Sequence, residues 1–301
     1  MQARSRLAPT PSGYLHLGNA VNFLLTWLLV RADHGTLKLR IDDADRDRVR
    51  PEFIADIFTQ LDWLELTWDE GPTGPDDLHR HHSQLRRLER YRQVLDHLDR
   101  QGHLFACVCS RQAIKRLAGN GPYPGTCREL NHRPDRPHAV RVRVPAGSRA
   151  RVDNTHIDLA RVMGDFVLWR RDRLPAYQLA SIVDDIDDRM NLIVRGVDLL
   201  ESTAAQLFLA EKIGNNHFQA ATFHHHPLLT DPAGAKLSKS DNALSLAIMR
   251  AGGTRPHEVY RLTAQRLGLP AAEIRTLDDL LAVFCAARRK NGPLTLPSQT
   301  W

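Results

Sequence analysis

Residues 19–33, NAVNFLLTWLLVRAD, carry apolar side chains nearly all round a helical turn. That pattern predicts a buried helix, not a half-exposed one. Its most apolar part, Val21 to Val30, is too short to cross a bilayer. Residues 3–8 ahead of it predict a short strand ended by Pro9, with a turn at Pro11, Ser12 and Gly13. Behind it LKLRI, residues 37–41, alternates and predicts a second strand. Strand, helix and strand in that order begin a parallel α/β sheet. Residues 52–62 and 83–101 space their apolar positions as amphipathic helices do.

Residues 103–160 break this rhythm with cysteines, prolines and short β-prone pieces such as HAVRVRVP. They predict an insertion. The α/β pattern returns with DFVLWRRD, the helical AYQLASIVDD, the strand NLIVRG, the helix STAAQLFLAEKIG and the strand FHHHPLL. A loop, TDPAGAKLSKSD, follows, and from Ala243 onward the chain reads as helical with a short Pro-containing tail. The expected division is therefore 1–102 and 161–245 as two halves of one α/β domain, 103–160 as the insertion, and 246–301 as a helical C-terminal segment. No internal repeat or low-complexity stretch is present.

Composition narrows the class. The 301 residues are 42% hydrophobic and 25% charged, ordinary for a globular protein, and long enough for about two domains. The N-terminus MQARSRLAPTPSG lacks the apolar core of a secretory signal, so a cytoplasmic location and no membrane partner are expected, and a monomer with them. Net charge is +6 and the pI about 9.4, which permits a polyanionic partner without requiring one. Three of the four cysteines, Cys107, Cys109 and Cys127, cluster in sequence, whereas Cys285 sits in the apolar context of a core thiol. In a reducing compartment such a cluster suggests a metal site before a disulfide. Three thiolates suit tetrahedral zinc, and the chemistry of nearby residues nominates His103 or His132 as fourth ligand.

Two short stretches carry candidate chemistry. RLAPTPSGYLHLGNA, residues 6–20, turns a strand into a helix through His16 and Gly18. Free N–H groups at a helix start attract anions, and an imidazole can donate to a phosphate oxygen. An ordinary strand-to-helix turn with a surface histidine reads the same stretch equally well. AKLSKSD places Lys236 and Lys239 around Ser238, able to reach one polyphosphate together, or to form a solvated loop. In a doubly wound sheet both stretches would open at the carboxyl edge, where ligands bind.

Together these motifs resemble those of class I aminoacyl-tRNA synthetases: HLGN is similar to the HIGH motif and KLSKS to KMSKS. RLAPTPSGYLHLGN, LRIDDAD, DFVLWRRDRLPAYQLASIVDD and NLIVRGVDLLES resemble the glutamyl-tRNA synthetase catalytic domain over most of residues 5–245. The resemblance implies a Rossmann-type domain interrupted by an acceptor-type insertion. Only about 60 residues follow Ser240, too few for the large anticodon-binding region of a full glutamyl-tRNA synthetase. The shorter glutamyl-queuosine tRNA(Asp) synthetases are thereby the subgroup expected. They esterify glutamate to queuosine in the anticodon loop of tRNA(Asp). That subgroup carries a zinc motif C-x-C…Y-x3-C, which Cys107, Cys109, Tyr123 and Cys127 match.

The resemblance also implies roles. Arg6 and Arg195 match glutamate-binding arginines, with Leu7, Ala8, Pro9 and Thr10 beside Arg6 and Tyr177 lining the pocket. Asp42 stands where the family usually has glutamate and would hold the substrate ammonium. His16, Gly18 and Asn19 would meet the ATP phosphates, and Lys236, Ser238 and Lys239 the departing pyrophosphate, with His16 and Lys239 catalytic and Mg²⁺ accompanying ATP. Asp184 and Asp185 read either as pocket floor or as an acidic helix face. Rival readings are a shortened synthetase charging a tRNA 3′ end, an enzyme passing glutamate to a non-RNA acceptor, and a silent RNA-binding paralogue.

Overall fold

The computed structural model describes residues 2–130, 137–153, 155–229 and 245–292. In chain order the elements are β1 (Arg4–Leu7), α1 (Leu17–Ala32), β2 (Thr36–Leu39), α2 (Pro51–Trp63), the single turn α3 (Pro75–Asp77), α4 (Leu88–Arg100), β3 (Leu104–Cys107), α5 (Arg111–Ala118), β4 (Ala139–Val142), β5 (Arg149–Val152) and β6 (Thr155–Asp158). There follow α6 (Leu159–Val162), β7 (Val167–Trp169), α7 (Tyr177–Asp187), β8 (Leu192–Gly196), α8 (Leu200–Ile213), α9 (Asn216–Gln219), β9 (Thr222–His226), α10 (Leu246–Ala251), α11 (Pro256–Arg266) and α12 (Leu277–Asn291). They group into two units, one of Met1–Ser83, Asn191–Asp198 and Thr222–Trp301, the other of Gln84–Met190 and Leu199–Ala221.

The first unit is the parallel α/β part. β1 pairs parallel with β2, and β8 with β9. Asn191 ties the two pairs together. Its N–H donates to Arg4 O at 3.1 Å, and its Oδ1 accepts from the Arg4 N–H at 2.7 Å. The strands thus run β2, β1, β8, β9, and the chain proceeds outward in opposite senses from β1 and β8. That reversal is a topological switch point, whose carboxyl edge opens a crevice for ligands. The nearly all-apolar α1 is buried as its pattern requires, with Val21, Leu24, Leu25, Leu28 and Val30 inside a core shared with α2, α11 and α12. It begins at Leu17, two residues before the stretch the pattern marked, because His16 already caps it.

The second unit holds an antiparallel sheet in the order β3, β4, β7 and a separate β5–β6 hairpin. α4 buries Tyr91, Val94 and Leu98, one stripe at helical spacing, and packs on α7 and α8. The helix expected from residue 83 is in fact a 3-10 turn, Gln84–Arg87, leading into α4. α5, inside the expected insertion, was not foreseen, although Ser110 supplies an ordinary cap by accepting from the Ala113 N–H at 3.1 Å. Among the described residues no helix is long and apolar enough to cross a membrane.

Candidate active site and candidate metal centre

At the carboxyl edge of the first unit, β1 ends in Arg6 and Leu7, and β8 carries Arg195 near its end. Arg6 is 5% exposed and Arg195 3%. Two guanidiniums withdrawn from water on adjoining strands are costly unless anionic partners meet them. Two backbone bonds hold the tails of β1 and β2 side by side: Arg40 N–H to Leu7 O at 2.9 Å, and Asp42 N–H to Pro9 O at 2.9 Å. This places Ala8, Pro9 and Thr10 alongside Asp42. The Asp42 carboxylate is itself engaged, accepting from Arg40 Nε at 2.7 Å and Nη2 at 3.4 Å. Sequence reasoning did not identify Arg40 as a site residue. Its only signal was position, two residues before Asp42 and so on the same face of an extended chain.

The strand-to-helix turn is built from short-range bonds. Leu15 N–H donates to Asp56 Oδ2 on α2 at 3.1 Å, which fixes where the turn enters α1. Asn19 Oδ1 accepts from the His16 N–H at 3.0 Å, and Asn19 N–H donates to His16 O at 2.8 Å. The first turn of α1 holds no acidic residue, so the positive end of its dipole is not neutralised locally. Gly18 lies under the imidazole: a Cβ there would stand 3.0 Å from His16 Cε1. His16 also bridges Ser245, and Leu246 N–H donates to Leu15 O at 2.8 Å. Lys236, Ser238 and Lys239 lie outside the described residues.

His226, noted in the sequence only as part of a histidine run, ends β9 beside α1. Its Nδ1 lies 2.8 Å from Pro227 O and its Nε2 3.1 Å from the Asn22 side-chain oxygen. Burial holds its pKa below the usual histidine value, against the carbonyl and Asp198, which favour the proton.

In the second unit, Tyr177 opens α7 and is 42% exposed. Asp184, on the same helix, is buried, and its carboxylate accepts from Gln84 Nε2 at 2.8 Å, Arg87 Nε at 2.7 Å and Tyr91 OH at 2.9 Å. Asp187 accepts from Arg87 Nη2 and Arg90 Nη2, each at 2.7 Å. These bonds make Asp184 the anchor between α7 and α4.

The cysteine cluster is assembled by the end of β3 and the turn after α5. The Sγ atoms of Cys107, Cys109 and Cys127 all lie within 4.8 Å of one another. Tyr123 OH stands 3.4 Å from Cys107 Sγ and 3.6 Å from Cys109 Sγ, and accepts from the Cys127 N–H at 2.8 Å. Gly125, at φ +78°, takes the left-handed conformation that folds Cys127 back onto Tyr123. A zinc tetrahedron with Zn–S near 2.3 Å and Zn–O near 2.0 Å would have S···O edges of about 3.5 Å, the spacing the phenol oxygen keeps from Cys107 and Cys109. Burial, with the neighbouring thiols, pushes the Tyr123 phenol above its ordinary pKa. A divalent cation reverses that balance. His103 is not among the clustered ligands, and His132 lies outside the described residues.

The comparisons with known proteins fit this geometry. The family model for class I tRNA synthetases (E and Q), catalytic domain, matches residues 2–281. The glutamyl-Q tRNA(Asp) synthetase of Symbiobacterium thermophilum is 39% identical across 98% of this chain and 96% of its own length. The glutamate–tRNA ligase of Anaeromyxobacter sp. strain Fw109-5 is 37% identical across 93% of this chain, but only 61% of its own length is covered. The crystal structure of glutamate-tRNA synthetase from Elizabethkingia anophelis superposes with a TM-score of 0.79 over 93% of this chain and 65% of that one, at 23% identity, and shows the same fold. The strand reversal at β1 and β8, the capped HLGN turn and the matching family model lead to one conclusion: the chain belongs to the class I tRNA synthetases for glutamate and glutamine, through their catalytic domain.

Proposed function

We propose that the protein activates L-glutamate with ATP and transfers the glutamyl group to queuosine in the anticodon loop of tRNA(Asp). The observation that carries the first half is the pair of buried arginines, Arg6 and Arg195, at the carboxyl ends of the two strands where the sheet order reverses. A guanidinium fork suits a carboxylate, and glutamate brings two. Asp42, held in place by Arg40, supplies the negative charge that meets the substrate ammonium. The glutamate α-carboxylate attacks the α-phosphorus of ATP and pyrophosphate leaves. His16 and the N–H groups at Gly18 and Asn19 meet the charge that grows on the phosphoryl oxygens. Lys236, Ser238 and Lys239 take the pyrophosphate, and Mg²⁺ accompanies ATP as in the family. A queuosine hydroxyl then attacks the adenylate carbonyl and AMP leaves.

The second half rests on the relatives. Relatives named glutamyl-Q tRNA(Asp) synthetase are spanned over 84–96% of their length, and glutamate–tRNA ligases of Anaeromyxobacter over 61%. We further propose that Cys107, Cys109, Tyr123 and Cys127 hold one zinc ion. With four protein ligands the coordination shell is closed, and the ion organises the turn without entering the reaction.

ATP–pyrophosphate exchange without RNA tests the activation step. Exchange is expected with L-glutamate and not with L-aspartate, and Arg195→Ala should abolish it in protein that still melts cooperatively. Folded wild-type protein that shows no exchange with glutamate would remove this reading and favour the silent paralogue.

A further inference from the structure

Arg141 and Arg143 lie over the Tyr123 and Phe105 rings of the cysteine cluster and Arg128 follows Cys127 in the chain; two of these three have carboxylates. Arg128 pairs with Asp165, and Arg143 lies 3.5 Å from Glu129. Arg141, on β4, has no carboxylate among the described residues, although it is only 9% exposed. Its Nη1 donates to the backbone oxygen of Asp165 at 2.7 Å, and its Nε is buried without a hydrogen-bond partner. Its guanidinium carbon stands over the ring of Tyr123, 4.0 Å from the centroid.

A buried cation needs a counter-charge, and a neutral ring face supplies only part of one. The missing charge lies on the other end of that ring. A divalent ion bound by three thiolates and a phenolate carries net negative charge, so the cluster with metal and Tyr123 bound is the anion that Arg141 faces. The same contact fixes the plane of the ring, and with the Cys127 N–H it aims the phenol oxygen at the three sulfurs.

We propose that Arg141 is the positioning residue of the metal centre: stacked over Tyr123, it holds the phenol oxygen at the fourth vertex and supplies the counter-charge of the anionic centre. This rests on the zinc reading above and extends it from the four ligands to the residue behind the unusual one. Outer-shell partners of this kind typically change metal affinity by about 10- to 100-fold.

The test uses the full chain stripped of metal and titrated with zinc at neutral pH, read by chelator competition and by the tyrosinate difference band in the near ultraviolet. Wild type should take up one zinc with the tyrosinate band rising in step. Arg141→Met should weaken zinc about 10- to 100-fold, with Arg141→Lys between it and wild type. In a Tyr123→Phe background, Arg141→Met should cost almost nothing more, because the coupling runs through the ring. Zinc uptake by wild type with no tyrosinate band, or additive losses in the double variant, would overturn the role of Arg141 while leaving a three-cysteine centre in place. No zinc uptake by folded wild type would overturn the centre itself, and this inference with it. The wild-type band needs no variant to fold, and glutamate-dependent exchange is scored separately.

Discussion

Arg40 Nε donates to Asp42 Oδ1 at 2.7 Å, and both side chains are more than nine-tenths buried. The two residues alternate onto one face of the chain as it leaves β2, so the clamp is local while its consequence is not. It holds the carboxylate proposed for the substrate ammonium in one place. Removing one partner of a buried pair costs about 3 kcal/mol or more. Arg40→Gln should therefore lower unfolding stability by about 3 kcal/mol in urea titration. Asp42→Asn should raise KM for glutamate about 10- to 100-fold, the worth of a hydrogen bond to a charged group. An unchanged KM in folded Asp42→Asn would remove Asp42 from the pocket.

Gly18 separates stability from turnover. Its added Cβ would press on the His16 imidazole at 3.0 Å and 3.1 Å, while alanine is the better helix former by about 1 kcal/mol. Gly18→Ala should melt no lower than wild type, yet exchange glutamate more slowly because His16 is displaced. Equal exchange rates would show that the imidazole position does not matter to the reaction.

Asp184 is the structural counterpart. Its carboxylate collects Gln84, Arg87 and Tyr91. Asp184→Asn should cost about 3 kcal/mol of stability, leaving those donors without their anion. KM for glutamate should stay unchanged wherever the variant is folded. A variant as stable as wild type would mean that the network between α4 and α7 contributes nothing.

The ring proton of neutral His226 belongs on Nδ1, since Pro227 O can only accept, and the Asn22 amide meets Nε2 after a half-turn. Its folded pKa lies below the unfolded value of about 6.5, chiefly through burial. The unfolded chain thus binds the proton first as pH falls. Stability from this residue is complete above about pH 6.5 and declines through the lowered folded pKa, by at most about 1.4 kcal/mol per pH unit. Between about pH 7.5 and about pH 5, wild type should lose more melting temperature than His226→Gln. Parallel curves would exclude His226 as the source.

Much of the fold was legible because local pattern and tertiary fate agree. α1 is apolar all round and is buried all round, and the parallel strands on either side of it follow from its position. The cysteine cluster was legible from spacing. What sequence reading missed depends on contacts that only folding creates. The partners of Asp184 sit about 100 residues earlier, which no periodicity reveals. Arg40 reads as one more residue of an extended stretch, and its place on the same face as Asp42 gains meaning only once the two side chains are seen paired. Tyr123 became a candidate ligand only through family resemblance, because phenols rarely bind zinc; that its oxygen stands 3.4 Å and 3.6 Å from the Cys107 and Cys109 sulfurs is visible only in the folded chain. The residues of the KLSKS loop carry their reading from sequence alone.

The acceptor decides the central claim most directly. Purified protein, ATP and labelled glutamate should be given tRNA(Asp) that contains queuosine, tRNA(Asp) that lacks it, and unmodified tRNA(Glu). An alkali-labile glutamyl ester is expected on the first RNA alone, and added salt should weaken its formation because backbone phosphates dominate RNA binding. Charging of tRNA(Glu) in place of queuosine-containing tRNA(Asp) would contradict the account and make the protein a shortened glutamate–tRNA ligase.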